Sequence, residues 1–305
     1  MLMMNKSFHI KRTIIFCILI VYGSGLLLAQ KPIKLWQDVK GGCNKVTLLP
    51  YLPSDTSKKR TAIIVCPGGS YCWLDHINER ATVGKWLQSE GFATFILMYR
   101  TQGVPAYIFH NRLFTTHHQY PAMLQDLQQA IRYLREHAAE YHIDAQHIGV
   151  MGFSAGGHLA MLSGELSDTN FLAPLGIHPD VSLKPDFIAA IYPVVTLSDK
   201  RYVHHRSRRG LLGEWKKASR TMRDSLSIEK HVSAKLPPVF LTNCKDDPVV
   251  KYQNSELLDS ALNIHKVPHY YKLYQTGGHG FGSNPKNTTE AYKWKEEFLR
   301  WLREQ

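Results

Sequence analysis

The chain has 305 residues, 44% of them hydrophobic and 20% charged, a balance that excludes a disordered tail, a collagen-like repeat and a small disulfide scaffold. Its length admits one large α/β domain or two smaller ones. With 37 Lys+Arg against 25 Asp+Glu the formal charge is +12, which raises nucleic acid or membrane as partners.

Residues 1–30 hold Lys6, Lys11 and Arg12 and no acidic residue. An apolar run from Ile14 to Val21 follows, then Gly23, Ser24 and Gly25, then apolar residues to Ala29. A basic start, a short apolar centre and small residues behind it predict an export signal peptide, cut after Gly25 or after Ala29. An uncleaved anchor is the alternative, because the apolar stretch reaches Leu28. Cleavage removes three of the twelve excess charges and leaves +9. The expected destination is periplasmic or secreted, with no lasting membrane insertion.

Beyond residue 30 the pattern alternates. Thr61–Cys66 is a continuous β-branched run ending in Pro67-Gly68-Gly69, and Ala93–Tyr99 is apolar on both faces; between them Asn78–Ser89 has helical character. Runs of this kind are strands buried on both sides in a parallel sheet. Pro121–Glu140 carries Leu124, Leu127, Ile131, Leu134 and Ala138 as one helical stripe, which predicts outward-facing Gln, Arg and Glu side chains. His147–Met151, Asp186–Tyr192, Val239–Thr242 and His269–Tyr274 read as further strands. Ala155–Leu166, Ser255–Leu262 and Thr288–Arg303 read as helices. The alternation predicts a doubly wound, mostly parallel sheet with helices on both faces, formed by residues 31–305 as a single domain. Two segments interrupt it: Arg100–Gln119, rich in aromatic and His residues, and the basic, polar Lys200–Ser227. Both are expected as insertions over a site.

Chemistry concentrates at Gly152-Phe153-Ser154-Ala155-Gly156, between a predicted strand and a predicted helix. A serine on such a turn is strained, so its neighbours two residues away must be small, and the turn exposes the Ser154 hydroxyl at the carboxyl end of the sheet. The Ala155 amide then opens a helix and faces any oxyanion formed there. A serine needs a base, and His279, in the glycine-rich loop Gly277–Gly282 after the last predicted strand, is the candidate. A carboxylate between them should follow Val239–Thr242, where Asp246 and Asp247 compete; Asp247, before Pro248, also reads as a turn-shaping residue. Gly68 and Gly69, after Thr61–Cys66, offer unhindered amides as further oxyanion donors.

The segments C-P-G-G-S-Y at Cys66, Y-P-A at Tyr120, I-G-V-M-G-F-S-A-G-G-H-L-A at Ile148, K-D-D-P-V-V at Lys245 and G-G-H-G-F at Gly277 resemble the α/β-hydrolase superfamily. The match runs over nearly the whole chain past residue 55. Within it they look like the secreted bacterial acetyl esterases, a group that includes acetylxylan esterases and related carbohydrate esterases. The resemblance implies an α/β-hydrolase fold, a Ser154–Asp246–His279 triad, and Gly69 and Ala155 at the oxyanion hole. It favours Asp246 through the D-x-x-V spacing from Asp246 to Val249. Ser70 stands where relatives often have a third glycine, and Ser70, Tyr71 and Trp73 are the expected substrate contacts. Acylated carbohydrate is the implied partner, and no metal or organic cofactor is required.

Other readings are a serine peptidase or lipase of the same fold, or a non-catalytic binding member. The peptidases carry a large extra domain for which a mature chain of about 275 residues has no room. A lipase calls for an apolar lid where Lys200–Ser227 is basic. The run Arg201–Arg209 reads as a solvated face or a basic rim able to meet uronic-acid groups, without a nucleic-acid-binding signature. Cys43, Cys66, Cys72 and Cys244 form no C-x-x-C pair; Cys66 and Cys72 either pair or stay buried as thiols.

Overall fold

The structure, a computed structural model, describes residues 31–37, 39–105, 118–216, 219–284 and 286–305. The expected signal peptide and most of the Arg100–Gln119 insertion lie outside the described residues. Among those described, no helix is long and apolar enough to cross a membrane.

Eight strands form one sheet: β1 (Ile33–Lys34), β2 (Thr47–Tyr51), β3 (Arg60–Cys66), β4 (Ala93–Met98), β5 (Ile143–Phe153), β6 (Ile188–Ile191), β7 (Val239–Cys244) and β8 (His269–Tyr274). Their order is β1-β2-β4-β3-β5-β6-β7-β8. The β1–β2 and β2–β4 pairs are antiparallel and all others parallel. This is the expected doubly wound, mostly parallel α/β-hydrolase sheet, extended by the β1–β2 hairpin. That hairpin gave no strand signal in the sequence, since β1 is two residues long and β2 contains Pro50.

Strand side chains alternate between two cores, as a strand's two-residue period requires. Ala62, Ile64 and Cys66 of β3 point into one core with Met123, Leu124, Leu127 and Ile131 of α2 (Ala122–Glu136) and Leu159 and Leu162 of α3 (Ala155–Glu165). Ile63 and Val65 point into the other, with Val83 and Leu87 of α1 (Thr82–Ser89). Lys200–Ser227, expected as an insertion outside the strand–helix alternation, contains α4 (His205–Lys216), kinked at Gly213, and α5 (Arg220–Ser225). Helix α6 (Gln253–Ile264) joins the first core, and α7 (Trp294–Arg303) lays Trp294, Phe298 and Trp301 on the second. The Phe298 and Trp301 rings sit 5.4 and 5.6 Å from that of Phe240 in β7. Each buried aromatic of this kind stabilises the fold by ~1.5–3 kcal/mol.

Helix α2 departs from the sequence reading. Gln128, Gln129 and Arg135, expected outside, are buried, and so is Asp126. A second layer covers that flank. Asp126 accepts from Trp36 Nε1 (2.8 Å) and the Arg100 amide (2.8 Å), while Gln129 Nε2 donates to Leu35 O (2.9 Å). Arg135 donates to the carbonyls of Ala145, Ser182 and Lys184 and pairs with Asp186 (3.1 Å). Each polar atom is matched, which is what allows burial.

One buried pair opposes the fold. Glu165, the last residue of α3, faces Glu229, in the short turn after α5, and both carboxyls are raised by burial, Glu165 also by the charge of Glu229. Oε1 of Glu165 and Oε2 of Glu229 have no hydrogen-bond partner. A carboxyl raised on folding contributes most below its unfolded value, and that contribution is lost as pH rises through the folded one. Glu165→Gln, whose amide can donate to Glu229, should therefore stabilise the protein by about 1–3 kcal/mol at pH 8 and by less at pH 5. Denaturant unfolding at the two pH values measures this difference; an equal effect at both pH values contradicts it.

Candidate active site

Register brings the carboxyl ends of the central strands together. Cys66 of β3 lies beside Gly152 of β5, Gly152 beside Ala190 of β6, Ala190 beside Leu241 of β7, and Leu241 beside Tyr271 of β8. The loops leaving β3, β5, β7 and β8 thus meet at one edge, the place where open α/β sheets bind ligands.

Ser154 occupies the turn between β5 and α3 with φ 54° and ψ −116°, as the strained-turn reading requires. The cause is close packing of backbone. A Cβ at Gly152 would stand 2.0 Å from Gly156 O, and one at Gly156 would stand 2.0 Å from Cys66 O. Neither position accepts a side chain, so the first turn of α3 sits directly on β5 and β3. The Ser154 amide donates to Ile191 O (3.0 Å) and its carbonyl accepts from Val194 N (3.1 Å), which locks the turn onto the end of β6.

Ser154 Oγ donates to His279 Nε2 (2.9 Å), and His279 Nδ1 donates to Asp247 Oδ2 (2.7 Å). The Asp247 side chain is fully buried, and its other oxygen accepts from the amides of Val249 (2.8 Å) and Val250 (2.9 Å). An acceptor-only carboxylate fixes the imidazole tautomer, leaving Nε2 free to take the serine proton. The expected Asp246 is thereby corrected to Asp247. Asp246 points the other way and accepts from the amides of Gly277 (3.2 Å) and Gly278 (2.8 Å). The turn-shaping role assigned to Asp247 is also present, performed by the oxygen that His279 does not use. Gly278 (φ 64°) and Gly280 (φ 75°) flank His279 in left-handed conformations that suit glycine.

The oxyanion side needs a second correction. The Gly68 amide donates to Glu79 Oε2 (2.6 Å) and is committed to that carboxylate. The Gly69 and Ala155 amides have no acceptor among the described residues; Ala155 is the first residue of α3, where an N–H lacks an intrahelical partner. Ser70 (φ 57°) and Tyr71 (φ 61°) continue the loop with positive φ. Ser70 is buried and Tyr71 entirely so, which removes Tyr71 from the expected substrate contacts. Its hydroxyl donates to His158 Nδ1 (2.8 Å), and His158 Nε2 donates to Leu226 O (2.8 Å). Burial pushes His158 down to about 4 and keeps it neutral. Trp73 remains half-buried beside the loop.

The basic segment reaches the site. A Cβ at Gly210 of α4 would fall 2.1 Å from Ser70 O, so α4 rests on the oxyanion loop. His204, just before α4, is pushed down to about 4 by burial first, then by the charges of His279, Arg206 and His205. Burial pushes Cys72 up to about 11 against the pull of Arg209 and Arg206, and Cys66 and Cys72 are free thiols.

Sequence reasoning missed Glu79, Tyr192 and His158. Glu79 carries no motif signal. In the sequence Tyr192 reads only as the end of a strand, and His158 only as part of the helical run Ala155–Leu166.

With this geometry in place, the BD-FAE family model matches residues 50–262. The chain belongs to the BD-FAE family. An acetyl ester-xyloside bifunctional hydrolase from Caldicellulosiruptor lactoaceticus is 34% identical, with a TM-score of 0.77 over 92% of this chain and 98% of that one. Endo-1,4-beta-xylanase B of Butyrivibrio fibrisolvens is 33% identical over 76% of this BD-FAE chain and 34% of its own length. The acetylxylan esterase of Xylanibacter ruminicola is 27% identical over 78% of this chain and 44% of its own. The chain thus spans between a third and a half of these two curated relatives.

The geometry separates the two aspartates experimentally. Asp247→Asn should slow covalent labelling of Ser154 by a fluorophosphonate probe by ~10³-fold or more, through loss of the correct tautomer. Asp246→Asn, which keeps one acceptor oxygen for the loop amides, should slow it by less than about tenfold. The reverse order would return the role to Asp246.

Proposed function

We propose that this protein is a serine carboxylic-ester hydrolase that removes acetyl or other short acyl groups from carbohydrate, with xylan-type polysaccharide as the substrate class. The observation that carries the reading is the hydrogen-bonded chain from Ser154 through His279 to buried Asp247, at 2.9 and 2.7 Å, at the carboxyl edge of the sheet. The names of the acetylxylan esterase and of the acetyl ester-xyloside hydrolase support the acyl group and the sugar.

The reaction follows from the positions. Ser154 Oγ attacks the ester carbonyl carbon while His279 Nε2 takes its proton. The carbonyl electrons move onto oxygen, and the amides of Gly69 and Ala155 donate to that oxyanion. Asp247 holds the ring and stabilises the imidazolium without taking the proton. As the carbon–oxygen bond to the sugar breaks, His279 gives its proton to the leaving hydroxyl. Water, deprotonated by His279, then attacks the acyl-serine, and as the second tetrahedral species collapses the carbon–Oγ bond breaks, His279 returns its proton to Ser154 Oγ, and acetate leaves. None of these steps calls for a cofactor. In this reading residues 31–305 act as one domain, exported by the signal peptide at residues 1–30.

Ser154→Ala should lower turnover of p-nitrophenyl acetate by ~10⁴-fold or more without loss of fold. Across a series of p-nitrophenyl esters kcat/KM should fall as the acyl chain lengthens beyond butyrate, and acetylated xylan should release acetate. Retention of wild-type turnover by the alanine variant would sink the assignment of Ser154.

A further inference from the structure

Outside the serine, histidine and aspartate, one buried carboxylate touches both halves of the site. Glu79 lies in a π-helical turn (Ile77–Ala81), where Asp75 Oδ1 accepts from the amides of Ile77 (2.9 Å) and Glu79 itself (3.0 Å). The Glu79 side chain reaches inward, and the residue is 5% exposed. Its Oε2 accepts from the Gly68 amide (2.6 Å) and its Oε1 accepts from the Tyr192 hydroxyl (2.8 Å).

Each contact leads to a different part of the machinery. The Pro67–Gly68 peptide is gripped at both ends, since the Tyr99 hydroxyl donates to Pro67 O (2.5 Å) while Gly68 N–H donates to Glu79. With that plane fixed, the next amide in the chain, Gly69, has little freedom to turn. On the other side, the Tyr192 hydroxyl oxygen, while donating its proton to Glu79, accepts from the Gly282 amide (3.1 Å), at the far end of the His279 loop. Its ring lies 4.8 Å from the His279 imidazole and 4.4 Å from Phe281. The same loop end is held by Trp294 Nε1 donating to Gly282 O (2.8 Å) and by the Ser283 amide donating to Asn78 O (3.0 Å), next to Glu79.

We propose that Glu79 and Tyr192 form a positioning link that sets the oxyanion amide and the histidine loop relative to each other, so that donor and base address the same carbonyl. The link rests on the esterase reading and gives it a further requirement: a carboxylate, not merely a polar group, at position 79. Only an ionised carboxyl offers both oxygens as acceptors. A proton on Oε2 would oppose the Gly68 N–H, and one on Oε1 would force the Tyr192 hydroxyl to stop donating. Glutamine fails in the same way, since one of its two ends is a donor.

The chemistry of the carboxyl agrees with this arrangement. Burial, and then the charge of Asp75, push Glu79 up to about 7, against the Gly68 amide, the Tyr192 hydroxyl and His279, which favour the ionised form. The titratable groups facing it are Asp75 on its own segment, Tyr192 after β6, Tyr99 after β4 and His279. As pH falls through about 7, Glu79 takes up a proton and the link loses an acceptor.

The test compares wild type, Glu79→Gln, Tyr192→Phe and the double variant on p-nitrophenyl acetate, with thermal unfolding alongside. Glu79→Gln should lower kcat by ~10- to 100-fold, the scale of a misplaced reacting group, with KM within about threefold of wild type. Tyr192→Phe keeps the ring on His279 and should lower kcat by about 3- to 20-fold. The double variant should be no slower than Glu79→Gln, because the two residues act as one unit. The acid limb of the kcat profile should move to lower pH in Glu79→Gln, which a purely structural role would leave in place. If Glu79→Gln does not fold, Tyr192→Phe decides, and wild-type kcat in that variant overturns the link. So do multiplicative losses in the double variant, losses confined to KM, or an unmoved acid limb. Absence of wild-type turnover and of Ser154 labelling overturns the esterase reading and the link with it, whereas wild-type turnover indifferent to the variants overturns the link alone.

Discussion

Three backbone segments meet with no room for a single Cβ between them: Gly152 at the end of β5, Gly156 in the first turn of α3, and the Cys66 carbonyl at the end of β3. That contact sets the height of α3 above the sheet and compels Ser154 into its left-handed turn. It also fixes how far the oxyanion loop stands from the serine, because that loop begins at the residue after Cys66. The two cores, dense as they are, support this geometry from either side without themselves determining it. Parallel pairing then carries the reference across β6, β7 and β8, so Asp247 and His279 inherit their positions from the same edge.

The site combines rigid and adjustable parts in a definite division. Asp247 is buried and bonded through both oxygens, one to His279 and one to its own turn. The loop carrying His279 is rich in glycine and would be loose alone, yet side chains from three other segments hold it. Asp246 takes its first amides, Tyr192 takes the Gly282 amide, and Trp294 takes the Gly282 carbonyl. Two adjacent aspartates thereby serve one histidine in different ways, one through its ring and one through its backbone.

Much of this was legible in the sequence, and the omissions have physical causes. The central strands announced themselves as apolar runs, because a strand buried on both faces needs no polar residue. Ser154 and His279 stood out because their turns demand glycine at fixed offsets. The choice between Asp246 and Asp247 was not legible: both follow the same strand, and a one-residue step reverses the direction of a side chain. Gly68 and Gly69 posed the same difficulty, since which of two successive amides faces the serine depends on peptide orientation. Tyr71 looked like a pocket residue and proved to be core, because α4 covers it. The inward polar residues of α2 followed from a second layer of chain, contributed by Leu35, Trp36 and residues 169–186, that local periodicity cannot register. Glu79 belonged to no pattern at all, and only its contacts reveal it.

The bridge from Tyr71 through neutral His158 to the Leu226 carbonyl spans the oxyanion loop, the helix behind the serine and the stretch that follows α5. Its effect is to make the segment over the site a structural member and not an exchangeable attachment. Any replacement of residues 200–227 must still supply one carbonyl at the position of Leu226 O. Without it a buried imidazole N–H is left unmatched, and the disturbance reaches the turn at Tyr71, two residues beyond Gly69. The covering segment and the loop that carries Gly69 are therefore coupled through one buried imidazole, and change in that segment is least disruptive at side chains outside the bridge.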